Sequence, residues 1–371
     1  MADFDVIVVG AGVIGLALAR HLATEGRDVL VLEAESAIGQ HTSSRNSGVI
    51  HAGIYYEKGS DQQVLCLDGK AMLYDYCATR HVPFERCGKL TLAPTSGDLS
   101  TLEALMARGH ANGVSDLYMM SEAEVLEREP AVKSAGAMMS PSSGIVDAPA
   151  LMLSLLGEFE AAGGALALNA PFRSARRENG LFHVGVGDAE GTWVTCRSLF
   201  NCAALGAWDV ARGIAEMPAD LIPSRNLAKG SYFSIAGKSP FQALIYPMPR
   251  VGSLGIHSVQ DVGGGVRFGP DMEWIDDVNY TVDAGKQAQF ETAIRAYWPD
   301  LPDGALQPDF AGIRPRIWGP GEAKREFEFS RPLDHGVSGL YHLFGFESPG
   351  LTSCLAIAKR LCNLLMEEEK S

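Results

Sequence analysis

The stretch that decides the fold is residues 4–33, which read FDVIVVGAGVIGLALARHLATEGRDVLVLE. Phe4–Val9 is a continuous apolar run, which is typical of a strand buried on both faces of a parallel sheet. A glycine-rich turn follows at Gly10–Gly15, and Val13–Glu25 then has the composition of a helix. Asp28–Leu32 is a second buried strand. Two parallel strands joined by a helix form a right-handed β-α-β unit, so the sequence predicts a Rossmann-type α/β domain at the N-terminus.

The turn has the pattern Gly-x-Gly-x-x-Gly, and each glycine has its own reason to be there. Gly10 permits the tight turn, Gly12 lets the backbone approach a pyrophosphate, and Gly15 allows close packing of helix and strand. The helix N-terminus offers unpaired N–H groups and a positive dipole end to the phosphates. Glu33 ends the second strand 18 residues after Gly15, where a carboxylate accepts hydrogen bonds from ribose hydroxyls. Together these features predict a site for an ADP moiety.

The fingerprint by itself leaves FAD and NAD as alternatives. A reductase that uses both FAD and a nicotinamide usually carries two such units. The sequence contains no second Gly-x-Gly-x-x-Gly with correct flanks, because Gly185-Val186-Gly187 is followed by Asp188-Ala189-Glu190-Gly191 with the wrong spacing. A protein with one dinucleotide site is therefore expected.

The bulk composition narrows the class of protein. A chain of 371 residues suits two domains. A net charge of −14 repels phosphate backbones, so nucleic acid is not an expected partner. The seven cysteines contain no Cys-x-x-Cys pair, which argues against a zinc site or a disulfide framework and favours a reducing compartment.

The sequence also bears on targeting and on membrane insertion. The apolar run Val6–Ala19 is preceded by negative rather than positive charge and is interrupted by glycines, unlike a secretory signal. No stretch is long and apolar enough to suggest a transmembrane segment. We therefore expect a cytoplasmic protein, one that could lie peripherally at the inner membrane. No metal site is expected.

The remaining elements follow from periodicity and from turn residues. Helices are predicted at residues 60–80, 99–112, 121–129, 148–162 and 352–366. Strands are predicted at residues 89–93, 166–168, 199–203 and 341–344, with a hairpin near 173–197. Residues 222–320 are dense in glycine, proline and aromatic residues, which suits an antiparallel sheet.

These elements predict two discontinuous domains. A Rossmann-type dinucleotide-binding domain, which binds FAD if the resemblance described next holds, would comprise residues 1–84, 142–218 and 308–371. An α+β substrate domain, built on an antiparallel sheet, would comprise residues 85–141 and 219–307.

One long motif carries a family resemblance. Residues 41–56, HTSSRNSGVIHAGIYY, resemble the second motif of the D-amino-acid-oxidase-like flavoprotein superfamily, and within it they are most similar to the L-2-hydroxyglutarate dehydrogenase/oxidase family. Shorter similarities run along the chain, at residues 144–147, 201–206, 245–249, 254–257, 268–270, 312–315 and 347–352.

The resemblance implies FAD as the cofactor, bound without a covalent link. Residues 43–48 would lie along the pyrophosphate and flavin, and residues 203–206 near the adenosine half. The turn at 345–352 would direct a positive helix end toward the pyrimidine edge of the flavin, where it stabilises the anionic reduced form. The implied cofactor-binding residues are Gly10, Gly12, Val13, Ile14, Gly15, Glu33, Ala34, Ser43, Ser44, Arg45, Asn46, Ser47, Gly48, Phe172, Ala203, Ala204, Gly206, Trp208, Arg314, Gly345, Ser348, Pro349, Gly350, Leu351 and Thr352.

The resemblance also implies oxidation of a carbon that bears a hydroxyl or an amine, on a substrate that bears a carboxylate. Hydride transfer to flavin N5 then requires a base for the hydroxyl proton and a cation for the carboxylate. Histidine suits the base, because its ordinary pKa is about 6.5, and His51 and His257 lie inside the family-like motifs.

Arg314 is the expected carboxylate clamp, since a guanidinium binds a carboxylate in a bidentate fork. Arg316 is the fallback for that role. Lys229 and Tyr246 would meet a second polar group, although Tyr246 could equally fill the core of the β-rich region.

The expected function is FAD-dependent oxidation of a small carboxylate-bearing substrate, a 2-hydroxy acid such as L-2-hydroxyglutarate. An amine or amino-acid oxidase of the same superfamily and a non-catalytic flavin-binding protein are the alternatives. Oxygen, a quinone or a carrier protein would accept the electrons.

Overall fold

The computed structural model describes residues 1–187, 191–248 and 255–370. The predicted hairpin residues Asp188–Glu190, and Pro249 and Leu254 of two motifs, lie outside the described residues. The chain forms two compact units. Unit 1 comprises residues 1–44, 148–227 and 314–371, and unit 2 comprises residues 45–147 and 228–313.

Helices and strands alternate in the first third of the chain, and strands dominate later. The helices are α1 (Val13–Thr24), α2 (Asp61–Arg80), α3 (Leu99–Ala111), α4 (Glu122–Arg128), α5 (Ala148–Ala161), α6 (Ala207–Arg212), α7 (Gln287–Arg295), α8 (Pro332–His335) and α9 (Gly350–Glu368). The strands are β1 (Phe4–Val9), β2 (Val29–Leu32), β3 (Val49–Ile50), β4 (Phe84–Glu85), β5 (Lys89–Ala93), β6 (Tyr118–Ser121), β7 (Gly136–Ser140), β8 (Gly144–Val146), β9 (Ala165–Ala167), β10 (Phe172–Glu178), β11 (Leu181–Val186), β12 (Trp193–Asn201), β13 (Asn226–Ile235), β14 (Leu244–Pro247), β15 (Ser258–Gln260), β16 (Val266–Phe268), β17 (Glu273–Ile275), β18 (Gln307–Arg316), β19 (Glu328–Ser330) and β20 (Leu340–Phe344).

Unit 1 is built on a sheet with the order β10-β11-β12-β1-β2-β9, in which β20 also pairs with β12. The pairs β12–β1, β1–β2, β2–β9 and β12–β20 are parallel. Val9 lies opposite both Leu32 and Asn201, so these three strands end at the same edge of the sheet. Because the carboxyl ends of parallel strands share an edge, the segments after β1, β2 and β12 lie side by side there.

Unit 2 is built on a sheet with the order β17-β13-β16-β15-β14-β5-β7-β6, and β18 also pairs with β13. Its neighbours β13–β16, β14–β15, β15–β16, β5–β7 and β6–β7 are antiparallel, whereas β5 and β14 are parallel. The parallel pair joins two parts of the chain that are far apart in sequence. A small sheet with the order β3-β8-β4 completes the unit.

Most predicted elements are present with nearly the predicted bounds, including β1, α2, β5 and α3. The sequence did not predict β7, nor β18 as one long strand. The compact units also divide the chain differently from the predicted domains, because residues 45–84 belong to unit 2. Their partners explain this placement: β3 pairs with β8, and the side chain of Gln63 on α2 donates to the carbonyl of Asn112.

Two further features bear on the environment of the protein. In the part of the chain that the structure describes, no helix is long and apolar enough to cross a membrane. All seven cysteines are buried free thiols.

Candidate active site

The turn after β1 leaves no room for side chains at its glycines. Gly10 has a φ of +103°, and a Cβ there would lie 2.7 Å from the carbonyl oxygen of Cys202. A Cβ at Gly15 would lie 2.0 Å from the carbonyl oxygen of Gly10. These clashes involve backbone atoms, which cannot rotate away, so the turn requires glycine at both positions.

The start of α1 presents unpaired N–H groups. The Val13 amide donates to the Ser43 hydroxyl at 3.0 Å. The amides of Ile14 and Gly15 have no hydrogen-bond partner among the described residues, as expected for the first turn of a helix. These two donors and the positive dipole end form a ready site for a phosphate.

Glu33 stands beside this turn at the end of β2. One carboxylate oxygen accepts from the Ala11 amide at 2.8 Å, and the other accepts from the Glu35 amide at 3.0 Å. A carboxylate oxygen has two lone pairs, so each can still accept a hydrogen bond from a ribose hydroxyl. The adjacent Ala34 is exposed.

The segment after β12 borders the same edge of the sheet. Ala204 has a φ of +48°, a backbone conformation that alanine seldom adopts. The buried amide of Asn201 holds this turn, because its oxygen accepts from the Ala203 amide at 3.2 Å and its nitrogen donates to the Ala207 carbonyl at 2.7 Å. The same nitrogen lies 2.9 Å from Nδ1 of His342, a fully buried histidine.

Trp208 and Phe172, two further residues predicted to bind the cofactor, lie outside this turn. Trp208 is 0 % exposed, and its indole N–H donates to the Pro223 carbonyl at 2.8 Å. It packs in the core of unit 1, and its role in cofactor binding stays a prediction. Phe172 is only partly buried at the start of β10, and nearby the Ala170 amide donates to the Glu33 carbonyl.

The N-terminus of α9 lies next to that of α1. A Cβ at Gly350, the first residue of α9, would lie 3.5 Å from the Cδ1 atom of Ile14. The Leu351 amide has no hydrogen-bond partner in the described part of the chain, and Thr352 is fully buried. Ser348 is exposed just before this helix begins. Two positive helix ends therefore converge on one side of unit 1.

Glu347, in the turn before α9, is the ion-pair partner of Arg314, the predicted carboxylate clamp. Glu347 accepts from Nε and Nη2 of Arg316 at 3.1 and 3.3 Å. Nε of Arg314 lies 3.6 Å from the same carboxylate. Arg316 is thus held by two hydrogen bonds to Glu347, whereas no hydrogen bond joins Arg314 to a carboxylate among the described residues. Of the two arginines, Arg314 is the one able to take another anion.

Residues 45–48 of the long motif belong to unit 2. The Ser47 hydroxyl lies 2.7 Å from that of Tyr232, and the Gly48 amide donates to the Asn46 side chain at 2.8 Å. The guanidinium of Arg45 lies 4.1 Å from the ring centre of Tyr280. This predicted cofactor-binding segment is therefore fixed by contacts within unit 2. Ser44, at the boundary, is exposed.

The structure brings three of the five predicted catalytic side chains to one region of unit 2. The rings of Tyr246 and His257 stack with centres 3.7 Å apart. The ammonium of Lys89 lies 4.9 Å from the ring centre of Tyr246, and its charge acts on the imidazole of His51. Desolvation first, and the Lys89 charge second, lower the pKa of His51 to about 3. His51 is therefore a neutral imidazole at physiological pH.

Lys89 is the residue of this region that sequence reasoning missed. It lies on β5 in register with Leu244 of β14 and is 1 % exposed. Leu90 and Leu92 turn into the main core of unit 2, so Lys89 and Thr91 share the opposite face of the strand. A lysine that opens an otherwise buried strand was the available signal, but the pattern alone did not show where its ammonium would lie.

Lys229, the remaining predicted catalytic residue of unit 2, has an intramolecular partner. Its side chain is buried and its ammonium donates to the backbone carbonyl of Thr281. This contact ties β13 to the segment before α7. The structure thus gives Lys229 a packing contact and gives no contact to the His51 region.

The residues of unit 1 fit the ADP half of FAD. The glycines leave the backbone of the first turn bare, the Ile14 and Gly15 amides are available as phosphate donors, and Glu33 keeps acceptor capacity for a ribose. A second helix N-terminus, that of α9, lies beside the first. A dinucleotide whose second half becomes anionic on reduction suits this pair of positive ends.

Comparison with known proteins agrees with this geometry. The family model described as FAD dependent oxidoreductase, DAO, matches residues 5–364. The chain belongs to this family, which confirms FAD as the cofactor and an oxidoreductase as the class of protein.

Named relatives narrow the similarity further. The chain is 38% identical to an L-2-hydroxyglutarate dehydrogenase, mitochondrial, from Arabidopsis thaliana, over 97% of this chain and 83% of that protein. It is 32% identical to an L-2-hydroxyglutarate dehydrogenase from Salmonella houtenae, over 96% of this chain and 92% of that protein.

Solved structures confirm the fold. An L-alpha-glycerophosphate oxidase from Mycoplasma pneumoniae with FAD bound superposes with a TM-score of 0.88 at 22% identity, covering 98% of this chain and 94% of that chain. A glycine oxidase from Bacillus cereus gives a TM-score of 0.82 at 21% identity, covering 99% of this chain and 98% of that chain.

Proposed function

We propose that this protein is an FAD-dependent dehydrogenase or oxidase that oxidises the C2 hydroxyl of a 2-hydroxy acid, with L-2-hydroxyglutarate as the substrate. Two relatives that carry this substrate in their names are 38% and 32% identical over nearly the whole chain. The structural observation that carries the proposal is the buried ammonium of Lys89, which lies 4.9 Å from the ring centre of Tyr246, the ring that stacks on the imidazole of His257. A proton acceptor next to a cation is what oxidation of an anionic alcohol requires.

His51 is the proposed general base. FAD, when bound, supplies the acceptor for the hydride that leaves C2. The imidazole takes the hydroxyl proton, and it can do so because its lowered pKa keeps it unprotonated. An arriving carboxylate would compensate the Lys89 charge and so raise the pKa of His51 toward the range of an effective base.

Arg314 is the proposed clamp for the carboxylate next to the reacting carbon. Its ion pair with Glu347 is 3.6 Å long and involves no hydrogen bond, so the guanidinium of Arg314 can donate to a carboxylate. Glu347 is held in turn by Arg316, which acts as a positioning residue rather than as a ligand.

His257 and Tyr246 are proposed to shape the substrate site as one stacked pair. Their rings are 3.7 Å apart and nearly parallel, so movement of either ring displaces the other. The Tyr246 ring also faces the Lys89 ammonium. Lys229 stays a weaker candidate, because its contact with Thr281 already accounts for its burial.

The proposal assigns a separate role to each unit. Unit 1 would bind the ADP half of FAD through its glycine turn and Glu33, and unit 2 would contribute the base and the segment Arg45–Gly48. The predicted division into a cofactor domain and a substrate domain is kept as a functional proposal, with residues 45–84, 142–147 and 308–313 in unit 2 and residues 219–227 in unit 1.

The electron acceptor and the cellular location complete the proposal. Oxygen, a quinone and a carrier protein are distinguished by comparing turnover with each as the sole acceptor. We place the protein in the cytoplasm, either dissolved or peripheral at the inner membrane, since seven buried thiols suit a reducing compartment. Cell fractionation tests this location.

The decisive experiment is anaerobic mixing of the FAD-loaded protein with a panel of acids. L-2-hydroxyglutarate should bleach the flavin absorbance, whereas D-2-hydroxyglutarate, glutamate and sarcosine should not. Bleaching only by an amino acid or an N-methyl amine would replace the proposal with an amine oxidase. Bound flavin that no member of the panel reduces would indicate a non-catalytic flavin-binding protein.

A further inference from the structure

Lys89 is an unusual lysine in unit 2. Its side chain is 1 % exposed, yet its ammonium makes no hydrogen bond or ion pair with any residue that the structure describes. Its visible partners are two aromatic faces, with the Tyr55 ring centre at 4.5 Å and the Tyr246 ring centre at 4.9 Å. An ammonium has three N–H donors, and a ring face offers none of them a strong acceptor.

Two other lysines of the same unit show what a structural lysine looks like here. Buried Lys229 donates to the carbonyl of Thr281. Partly buried Lys70 lies 3.2 Å from the Ser142 hydroxyl and 3.5 Å from the Ala52 carbonyl. Both ammonium groups have oxygen acceptors, as charges removed from water require. Lys89 differs from them, because two cation–π contacts offset only part of its desolvation.

The register of the sheet shows on which face of β5 the Lys89 side chain lies. Lys89 and Thr91 lie on one face of β5, and Tyr246 of β14 lies directly opposite Thr91. The Tyr55 hydroxyl is 3.2 Å from that of Thr91, so both rings that face the ammonium are fixed to this face. The proposed base, His51, lies within reach of the same charge. An anion that pairs with Lys89 would therefore be held near the base.

We propose that Lys89 binds the second, distal carboxylate of the substrate and so selects dicarboxylic over monocarboxylic 2-hydroxy acids. The inference rests on the proposed function, because it presumes a 2-hydroxy acid as the substrate. Among the described residues of unit 2, the Lys229 ammonium donates to Thr281 and the Lys70 ammonium to Ser142 and Ala52, whereas the ammonium of Lys89 keeps its donors for a carboxylate. The compact charge of an ammonium suits the flexible distal end of the acid.

The test compares two substrates that differ only at the distal end. L-2-hydroxyglutarate and L-2-hydroxyvalerate share the hydroxyl, the first carboxylate and the chain length, and the valerate ends in a methyl group. Lys89→Met should lower kcat/KM for the glutarate by at least about 30-fold and leave the valerate within about 3-fold, because only the glutarate loses a buried charge pair. An equal loss for both substrates would overturn the proposal in favour of a role toward the shared end.

Matched variants separate charge from packing. Lys89→Arg keeps the positive charge and should retain most of the preference for the dicarboxylate. Lys70→Met removes a partly buried ammonium of the same unit and should leave the ratio of kcat/KM values for the two substrates unchanged. A shift of that ratio in Lys70→Met as large as in Lys89→Met would show that loss of another lysine charge in unit 2 has the same effect, and would overturn the specific role.

A binding measurement keeps the inference separate from the proposed function. Glutarate and pentanoate carry no hydroxyl, so their binding is read from the perturbed flavin absorption without turnover. Glutarate should bind the wild-type protein more tightly than pentanoate, and Lys89→Met or Lys89→Gln should abolish the difference. Equal glutarate affinity in wild type and variants would overturn the inference even if L-2-hydroxyglutarate is oxidised. If L-2-hydroxyglutarate does not reduce the flavin but glutarate still binds through Lys89, the proposed function fails and the dicarboxylate site stands.

Discussion

The two units are proposed to recognise their ligands with different parts of the chain. In unit 1 the proposed contacts belong to the backbone: bare glycines at Gly10 and Gly15, first-turn amides of α1 without a partner among the described residues, and the start of α9. In unit 2 the proposed contacts belong to side chains, chiefly His51 and Lys89.

The difference has a physical cause. A pyrophosphate is the same in every FAD, so a helix end and a turn suffice to bind it. A substrate is distinguished by where its charges and hydroxyls lie, which requires side chains placed by the pairing of separate strands. Substitutions in unit 1 should therefore change how much cofactor is bound, and substitutions in unit 2 should change which substrate is turned over and how fast.

The largest expected effect lies in unit 2. His51→Asn should lower kcat by about 10²- to 10⁴-fold, the usual contribution of a positioned general base, and should leave the flavin spectrum unchanged. His81→Asn is the matched control, because His81 is exposed and has a φ of +56°, a conformation that asparagine tolerates. Stopped-flow flavin reduction gives the measurement. Undiminished reduction in His51→Asn would exclude this residue as the base.

A substitution in the glycine turn of unit 1 should instead lower the affinity for FAD. Gly15→Ala places a Cβ 2.0 Å from a backbone oxygen, so the turn must open and the first-turn amides must move. FAD binding should weaken by on the order of 100-fold, about 2.7 kcal/mol. Gly157→Ala on α5 meets no atom within 4 Å and should retain full flavin. The flavin-to-protein absorbance ratio after dialysis distinguishes the two; a fully loaded Gly15→Ala would contradict the backbone account.

Arg314 tests whether unit 1 also contributes a side chain to substrate binding. Arg314→Met should raise KM for the hydroxy acid by about 30-fold, since one partner of a charge-assisted pair is removed, with little change in the flavin spectrum. Arg212→Met, which removes an exposed arginine paired with Asp209, is the control in the same unit. Steady-state kinetics decide the matter, and an unaltered KM would leave the first carboxylate without its proposed clamp.

The smallest expected effect is on stability, through a histidine of unit 1 with no proposed chemical role. Burial lowers the pKa of His342 to about 3 from 6.5, so protons bind the unfolded chain first as the pH falls. The contribution of neutral His342 to the free energy of unfolding is fully present above pH 6.5, the pKa in the unfolded chain. It is lost as the pH falls from there to about 3, the pKa in the folded protein. Between pH 7.5 and 5.5 the loss is about 1.4 kcal/mol.

Denaturant unfolding at the two pH values measures this loss. His342→Gln should be less stable than wild type at pH 7.5, because Asn201 loses a partner, but its stability should depend less on pH by about the same 1.4 kcal/mol. The same pH dependence in variant and wild type would show that His342 does not remain neutral in the folded protein.

How far the sequence predicts the site also differs between the units. The glycine turn, Glu33 and α9 follow from contiguous residues, because strand, turn and helix are local and the ligand touches their backbone. Even β5 is predicted with its observed bounds, Lys89–Ala93. The sequence pattern does not predict that Lys89 and Tyr246 lie on the same face of the sheet. That placement depends on the parallel pairing of β5 with β14, two strands that are far apart in the chain.

Side-chain partners account for the remaining differences. Arg314 and Arg316 stand two residues apart in sequence, and the structure distinguishes them by their contacts with Glu347, which are hydrogen bonds for Arg316 and a 3.6 Å ion pair for Arg314. Trp208 follows a cofactor-like turn, yet the next turn of the chain takes its ring into the core, where Pro223 satisfies its N–H. Such assignments depend on which side chains meet after folding, and one sequence does not contain that information in any contiguous stretch.

The central claim is that this protein removes a hydride from C2 of L-2-hydroxyglutarate, and single-turnover anaerobic reduction tests it most directly. Mixing the FAD-loaded protein with the acid bearing hydrogen or deuterium at C2 should bleach the flavin in both cases, more slowly with deuterium, and should yield one 2-oxoglutarate per flavin. A flavin that stays oxidised, or that is bleached at the same rate by both isotopologues without forming 2-oxoglutarate, would contradict the account.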